Sequence, residues 1–198
     1  MISAIILAAG ESTRMGAENK LLLPFQGTTL LGATVTAVTH SRVGETIVVV
    51  GHEQERVRKA LAGLPVRIVF NPDYREGMST SIHAGVRACS PDTRGLMICL
   101  SDMPRVGSAD LNRLIDRFEG ADQDAIVLPT FSGQRGNPVL FSCRFRPEVL
   151  AVRGPTGGCK SVVKAHPEAV IEVPLERDNV LQDIDTPEDY RRLLGANP

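Results

Sequence analysis

Tryptophan is absent from this 198-residue chain, and two tyrosines with six phenylalanines bring the aromatic share to only 4%. A surface that stacks single-stranded bases needs more aromatic faces than that. Basic excess is missing as well. Lys and Arg number 22 against 23 Asp and Glu, for a formal net charge of −1, so the chain has no general field for a nucleic-acid backbone. None of the four cysteines, Cys89, Cys99, Cys143 and Cys159, stands in CxxC spacing, which speaks against a structural zinc site. Cys99 lies inside the apolar run GLMICL and reads as a packing residue. No stretch approaches the ~20 apolar residues of a membrane span. The start, MISAIILAAGES, lacks a basic segment ahead of its apolar run, so no signal peptide is read. Cytoplasm is the expected compartment, and neither nucleic acid nor membrane is an expected partner. Long linkers, low-complexity tracts and repeats are also lacking, and residues 1–198 are read as one domain with a sizeable core.

What is present is an ordinary globular composition, 42% hydrophobic and 23% charged, and one stretch that organises the rest. Residues 4–24 read AIILAAGESTRMGAENKLLLP. Ala4 to Ala8 suits a buried strand. Gly10 ends it and can turn the backbone sharply, and its missing side chain lets backbone N–H groups approach a phosphate. Glu11-Ser12-Thr13-Arg14 and Gly16 follow. Arg14 supplies a planar fork and Lys20 a compact mobile charge. Together these describe a place to hold a triphosphate. The spacing is neither the Gly-x4-Gly-Lys-[Ser/Thr] loop nor the Gly-x-Gly-x-x-Gly fingerprint. A plain strand-to-loop connection with solvated charges accounts for the same residues equally well.

Further along, Thr28 or Thr29 can cap a helix to about Val38, and residues 21–24 read as a short extended piece. Residues 45–50 make a second buried strand, 53–62 a helix and 66–70 a third strand. This alternation favours an α/β fold, a doubly wound and mostly parallel sheet with helices on both faces. Ligands in such sheets sit beyond the carboxyl ends of the strands, which puts Gly10, His52 and Asn71 at one edge. Gly77 to Ser81 reads as a helix start with free N–H groups, although capping by Ser79 explains it too. His83 follows and reads as an ordinary core or surface histidine. Residues 95–100 form a fourth strand ending in Ser101-Asp102-Met103-Pro104. A carboxylate there stands where phosphates would lie, and Mg²⁺ takes one or two protein carboxylates with phosphate oxygens and water. An Asp bonding its own turn is the plainer reading. Ser108 suits the N-cap of a helix over 109–118. Residues 125–129 and 170–173 read as strands, and 131–141 as a hairpin. Thr186-Pro187 with two acids marks the last helix, and Asp185, ahead of that cap, is free to point elsewhere.

LAAGESTRMG, then Lys20 and LLLPFQGTTLL, resembles the signature of the MobA/MocA-like nucleotidyltransferases, enzymes that attach CMP or GMP to the pterin of the molybdenum cofactor. The resemblance implies a Rossmann-like nucleotidyltransferase fold and a nucleotide held by Leu7, Ala8, Ala9, Gly10, Ser12, Arg14 and Lys20. The segment from Asn71 to Ser81 resembles the NP-x4-GMxxS element that borders the nucleotide, implying Asn71, Gly77, Ser79 and Ser81. SDMP resembles the metal element, and DIDTPEDY the C-terminal element whose aspartate before Thr-Pro completes it. Asp102 and Asp185 are therefore the implied metal ligands, Mg²⁺ the implied cofactor, and Arg14, Lys20 and Asp102 the implied catalytic set. GQRGNPVLF resembles the strand pair lining the acceptor side, implying Arg135, Gly136 and Asn137. The chain departs from the family's Gly-Asp-x-Gly-Ala-Arg at Arg153–Lys160, where Thr156 takes the acidic position and Lys160 can stand for the Arg. LAAG rather than LAGG is closer to the cytidylyl branch, since the methyl of Ala9 could crowd a purine.

The resulting expectation is Mg²⁺-dependent transfer of an NMP, CMP from CTP, to a phosphate on a small acceptor such as molybdopterin. Pyrophosphate leaves, and no covalent enzyme intermediate is needed. The alternatives are a transferase for a sugar phosphate or other phosphorylated metabolite, and a non-catalytic nucleotide-binding regulator. Contact with a molybdoenzyme or chaperone is left open.

Overall fold

The computed structural model describes residues 1–12, 15, 18–121, 124–154 and 158–195. At its centre lies β1 (Ile2–Ala8), buried at every residue. Its alternate side chains serve two different cores, as the twofold period of a strand requires. Ala4, Ile6 and Ala8 join one apolar cluster, and Ile5 and Leu7 join the other. A strand covered on both faces must be apolar throughout, which is why AIILA reads as an unbroken run.

Beside β1 run β4 (Glu45–Val50) and β6 (Gly95–Leu100), both parallel to it. Outside β4 lies β5 (Arg67–Phe70), also parallel. On the other flank, β9 (Val139–Ser142) enters antiparallel between β6 and β7 (Ile126–Phe131). The edge strand β10 (Val170–Pro174) pairs parallel with β7. The order is thus β10-β7-β9-β6-β1-β4-β5. A two-residue strand β8 (Gln134–Arg135) folds back on β7 through Ser132 and Gly133, both at positive φ, as a tight hairpin requires. The expected hairpin is therefore present, but its continuation turns back into the middle of the sheet. Periodicity reports burial and not strand direction, so the antiparallel β9 had no signal of its own.

Helices α1 (Leu30–Thr39), α2 (Gln54–Ala60) and α4 (Ser108–Glu119) contribute to the first core. Helices α3 (Met78–Ala88), α5 (Arg146–Ala151) and α6 (Lys160–Ala165) contribute to the second. Both faces are covered, as a parallel sheet demands. The last helix, α7 (Pro187–Leu193), docks through Leu193 and Tyr190 beside Phe25, Leu30 and Ile184. There it meets a small ribbon of β2 (Pro24–Phe25) and β3 (Thr28–Thr29), and Tyr190 Oη donates to the Pro24 carbonyl at 2.6 Å.

Local expectations are met with small shifts. Thr29 caps α1 through the Gly32 N–H, and Thr186 and Asp189 form a reciprocal capping box. Ser108 is already the first helical residue. Gly107 precedes it, and Asp110 Oδ2 accepts from the Gly107 N–H at 3.0 Å, so the cap is made from inside the helix. Residues 20–22 coil into a 3-10 turn instead of extending, because Asn19 Oδ1 accepts the Leu21 N–H at 3.1 Å.

Candidate functional site

The carboxyl ends of β1, β4, β5 and β6 meet at one edge, as expected. His52 N–H donates to the Ala9 carbonyl at 3.1 Å and Asn71 N–H to the Val50 carbonyl at 2.8 Å. A cavity of about 330 Å³ opens there, with Leu7, Ala9, Gly10, Ser12, Lys20, Gly77, Ser81, Asp102 and Asp185 in its lining. Nine of the residues singled out from sequence thus share one cleft. Gly10 serves it differently from the expectation. Its φ is not positive, and a Cβ there would meet nothing within 4 Å. Among the described residues of the loop, the left-handed one is Ser12, at φ 52. The value of Gly10 is therefore open backbone toward the cleft and not the turn itself. Gly51, by contrast, is required by space: a Cβ would stand 2.7 Å from Tyr74 and 2.9 Å from the Ala9 methyl. Arg14 lies outside the described residues, as do Gly16 and Thr156.

The floor of the cleft is a charge constellation. Lys20 Nζ donates to Asp102 Oδ2 at 2.6 Å and to Asp185 Oδ1 at 2.8 Å, across sequence separations of 82 and 165 residues. Backbone stitching brings these groups together. Ser101 Oγ donates to the Leu7 carbonyl, joining the ends of β6 and β1. The Ile184 N–H donates to the Asp102 carbonyl at 3.0 Å, which lays the Asp185 segment against the β6 turn. Buried Ile184 anchors that segment in the small cluster with Phe25 and Leu30. Asp185 precedes the Thr186 cap, so the cap consumes Asp189 and leaves Asp185 to face the lysine. Burial pulls the Lys20 pKa down, but the charge and hydrogen bond of Asp102, then those of Asp185, outweigh it and raise the pKa above its ordinary value.

Asp102 carries a further mark. Its Oδ1 is buried with no hydrogen-bond partner among the described residues. A buried carboxylate oxygen left alone is costly, and a cation partner would relieve it. The donor set fits a hard divalent ion, which favours carboxylate oxygen and completes its shell with water and phosphate. No cluster of three or more His, Cys, Asp or Glu suited to a metal occurs among the described residues, and Asp102 and Asp185 are the carboxylates in the cavity lining. A third acid, Asp183, was missed from sequence. Partial burial, then the charges of Asp102 and Asp185, push its pKa up. Its alternation with Asp185 in Asp-Ile-Asp was the available signal.

The outer wall is the start of α3. Gly77 stands at φ 115, a conformation suited to glycine, and Met78 begins the helix. Asn71, Ser79 and Ala8 are not in the cavity lining. Asn71 Nδ2 donates to Thr80 Oγ1 at 2.9 Å and Ser81 Oγ at 3.0 Å, while its Oδ1 accepts from the Asp73 N–H at 3.1 Å. It clamps the end of β5 to the helix start and so positions Ser81. Ser79 is buried as the second helical residue, and Ala8 points into the first core. Glu11 and Arg75 pair at 3.2 Å, and the guanidinium lies 5.3 Å from the Tyr74 ring centre.

The residues implied for an acceptor do not line this cavity. Arg135 is exposed and pairs with Glu172 at 2.8 Å. Gly136 lies against the Val180 carbonyl, where a Cβ would clash, and the Asn137 N–H donates to that carbonyl at 2.9 Å. These residues hold the turn Asp178–Leu181, which with Arg105 and Arg177 borders a second cavity beside Pro104. Lys160 is exposed at the start of α6. Two residues earlier, a Cβ at Gly158 would lie 3.4 Å from Met78 Sδ, so this segment does reach the first cleft's wall. His83 is buried and lies outside the cavity lining. Its Nε2 lacks a hydrogen-bond partner among the described residues, and burial lowers its pKa. The cysteines are free, and burial pushes Cys99 and Cys159 up to about 12 and Cys89 to about 11. Thiols so raised are packing groups.

A doubly wound sheet with a glycine loop, a lysine and paired carboxylates at its carboxyl edge defines a nucleotidyltransferase. The MobA-like NTP transferase domain matches residues 4–170, and the chain belongs to that family of enzymes. It is 29% identical to the molybdenum cofactor cytidylyltransferase of Escherichia coli K12, over 96% of this chain and 93% of that one. It is 27% identical to the nicotine blue oxidoreductase of Paenarthrobacter nicotinovorans, over 98% and 96% respectively. A solved structure from Mycobacterium tuberculosis H37Rv, a complex with manganese, superposes with a TM-score of 0.84 at 30% identity, covering 99% of each chain. No helix among the described residues is long and apolar enough to cross a membrane.

Proposed function

We propose that the cleft binds CTP and transfers CMP to a phosphate of a small acceptor, with molybdopterin the favoured acceptor and pyrophosphate the leaving group. The observation that carries this reading is the meeting of Lys20, Asp102 and Asp185 beside the open backbone of Gly10. Ala9, Gly10 and Ser12 would receive the nucleotide, with Arg14 and Lys20 as cationic partners of the phosphates. Gly77 and Ser81 would border it, and Asp102 and Asp185 would hold Mg²⁺. The metal supplies charge neutralisation on the phosphates. Everything else is positioning, the dominant requirement of phosphoryl chemistry. Asn71 acts through Ser81, and Gly136 and Asn137 act through the turn at Val180. Arg135 and Lys160 are left as candidates for the acceptor's outer contacts.

The cytosine preference rests on Ala9, which lines the cavity and whose methyl lies beside Gly51. The molybdopterin reading leans on the Escherichia coli relative. Free thiols at all four cysteines suit a reducing compartment such as the cytoplasm. A sugar phosphate is the acceptor to test second. Pyrophosphate release from CTP with Mg²⁺, assayed with molybdopterin and with a sugar-phosphate panel, is the test. Release with none of these acceptors would remove the acceptor assignment. Thermal shifts with CTP, GTP, ATP and UTP test the base, and stronger stabilisation by GTP than by CTP would overturn the cytosine preference.

A further inference from the structure

Lys20 is gripped from two sides. Bonds of 2.6 and 2.8 Å to Asp102 and Asp185 are short and charge-assisted, and the side chain is only 13% exposed. The two carboxylates so engaged are those assigned above to a divalent cation, and this inference rests on that assignment. One ammonium spans the space between them. A divalent ion taken up by Asp102 through its otherwise unmet Oδ1, together with Asp185, would stand beside the ammonium and repel it. Ammonium and metal therefore compete for the same two carboxylates.

We propose that Lys20 is an internal counter-ion which exchanges with the metal: its ammonium leaves the carboxylates for the nucleotide's phosphates, and only then do Asp102 and Asp185 take the divalent ion. Lys20, Gly10 and Ser12 line the same cavity, so phosphates brought to the loop lie within the sweep of a four-carbon stem. No covalent bond changes in this step. The exchange makes nucleotide and metal binding mutually reinforcing, and linkage requires the coupling to be reciprocal. It also gives Lys20 a positioning role earlier than any contact with the reacting phosphate.

The test is Mn²⁺ binding to the full chain, followed by electron paramagnetic resonance of the free ion, with and without CTP and with no acceptor. Lys20→Met and Lys20→Gln remove the charge while keeping a comparable stem, and far-UV circular dichroism checks their folding. Without CTP, both variants are expected to bind Mn²⁺ on the order of tenfold more tightly than the parent, since a competing charge-assisted donor is gone. With CTP, after subtracting the binding of Mn²⁺ to CTP alone, the parent should gain clearly more affinity than either variant. Equal or weaker Mn²⁺ binding by the folded variants overturns the exchange. Asp185→Asn separates this from the underlying assignment. If Asp185→Asn binds Mn²⁺ like the parent in the presence of CTP, the two-carboxylate site itself fails. If it loses Mn²⁺ while the Lys20 variants gain none, the site stands and the exchange falls.

Discussion

The two sides of the carboxyl edge are built to different ends. On the side of β1 and α3, charged groups and open backbone are turned inward: Gly10, Lys20, Asp102 and Asp185 all line the cleft. On the side of β7, β8 and β9, residues of comparable polarity hold the frame. Arg135 answers Glu172, and Gly136 and Asn137 grip the Val180 carbonyl. The first side has a buried oxygen at Asp102 with no partner among the described residues, whereas Asn137 on the second has its N–H matched. Unmet polar demand in a buried place marks where a ligand is wanted. Satisfied groups of the same type mark architecture.

Three perturbations sharpen this contrast, beginning with the largest effect. Asp102→Asn keeps size and removes charge on the ligand side. Turnover, measured by pyrophosphate release, should fall on the order of 10²–10³-fold while the urea midpoint moves little. Gly136→Ala acts on the framing side and should reverse that pattern. The added methyl would meet the Val180 carbonyl, and the expected cost is about 1–3 kcal/mol in equilibrium unfolding, with CTP-induced thermal stabilisation retained. If Gly136→Ala instead left stability untouched and abolished nucleotide binding, the division between the two sides would be wrong.

His166, at the end of α6, gives the smallest effect. The hydrogen bond that His166 Nε2 donates to Glu148 Oε2, at 2.7 Å, is the main cause holding its pKa above the ordinary imidazole value. A raised folded-state pKa stabilises fully below the unfolded value of about 6.5 and loses that contribution as pH rises through the folded value. His166→Ala should therefore lower Tm more at pH 5.5 than at pH 8.5. An equal loss at both would assign the residue to packing on Phe145, whose ring centre lies 4.9 Å away.

The contrast also explains what could be read from the chain alone. The apolar runs of β1, β4 and β6 are buried on both faces, so composition alone marked them, and the strand ends then placed Gly10 and Asp102. Asp185 was legible because Thr186-Pro187 accounts for its neighbours and not for it. The residues implied for an acceptor are recognisable as a motif, yet a motif does not say whether a side chain faces a ligand or a backbone carbonyl. Gly136 is needed for a close approach made by Val180, 44 positions away, and no local pattern carries that partner. Asn71 illustrates the same limit: its place at the sheet edge is readable, but its bonds to Thr80 and Ser81 exist only once β5 and α3 are adjacent. The insertion of β9 between β6 and β7 is a long-range pairing of the same kind.

The central claim is that Asp102 and Asp185 act as one unit on one metal ion. The most direct measurement is a double-mutant cycle of Asp102→Asn and Asp185→Asn, read by Mg²⁺-dependent pyrophosphate release from CTP and the acceptor. Groups serving a single ion are strongly non-additive. The account expects each single change to abolish most turnover and the double change to cost much less than the product of the two. Independent, multiplicative losses, or nearly full activity in Asp185→Asn, would contradict it.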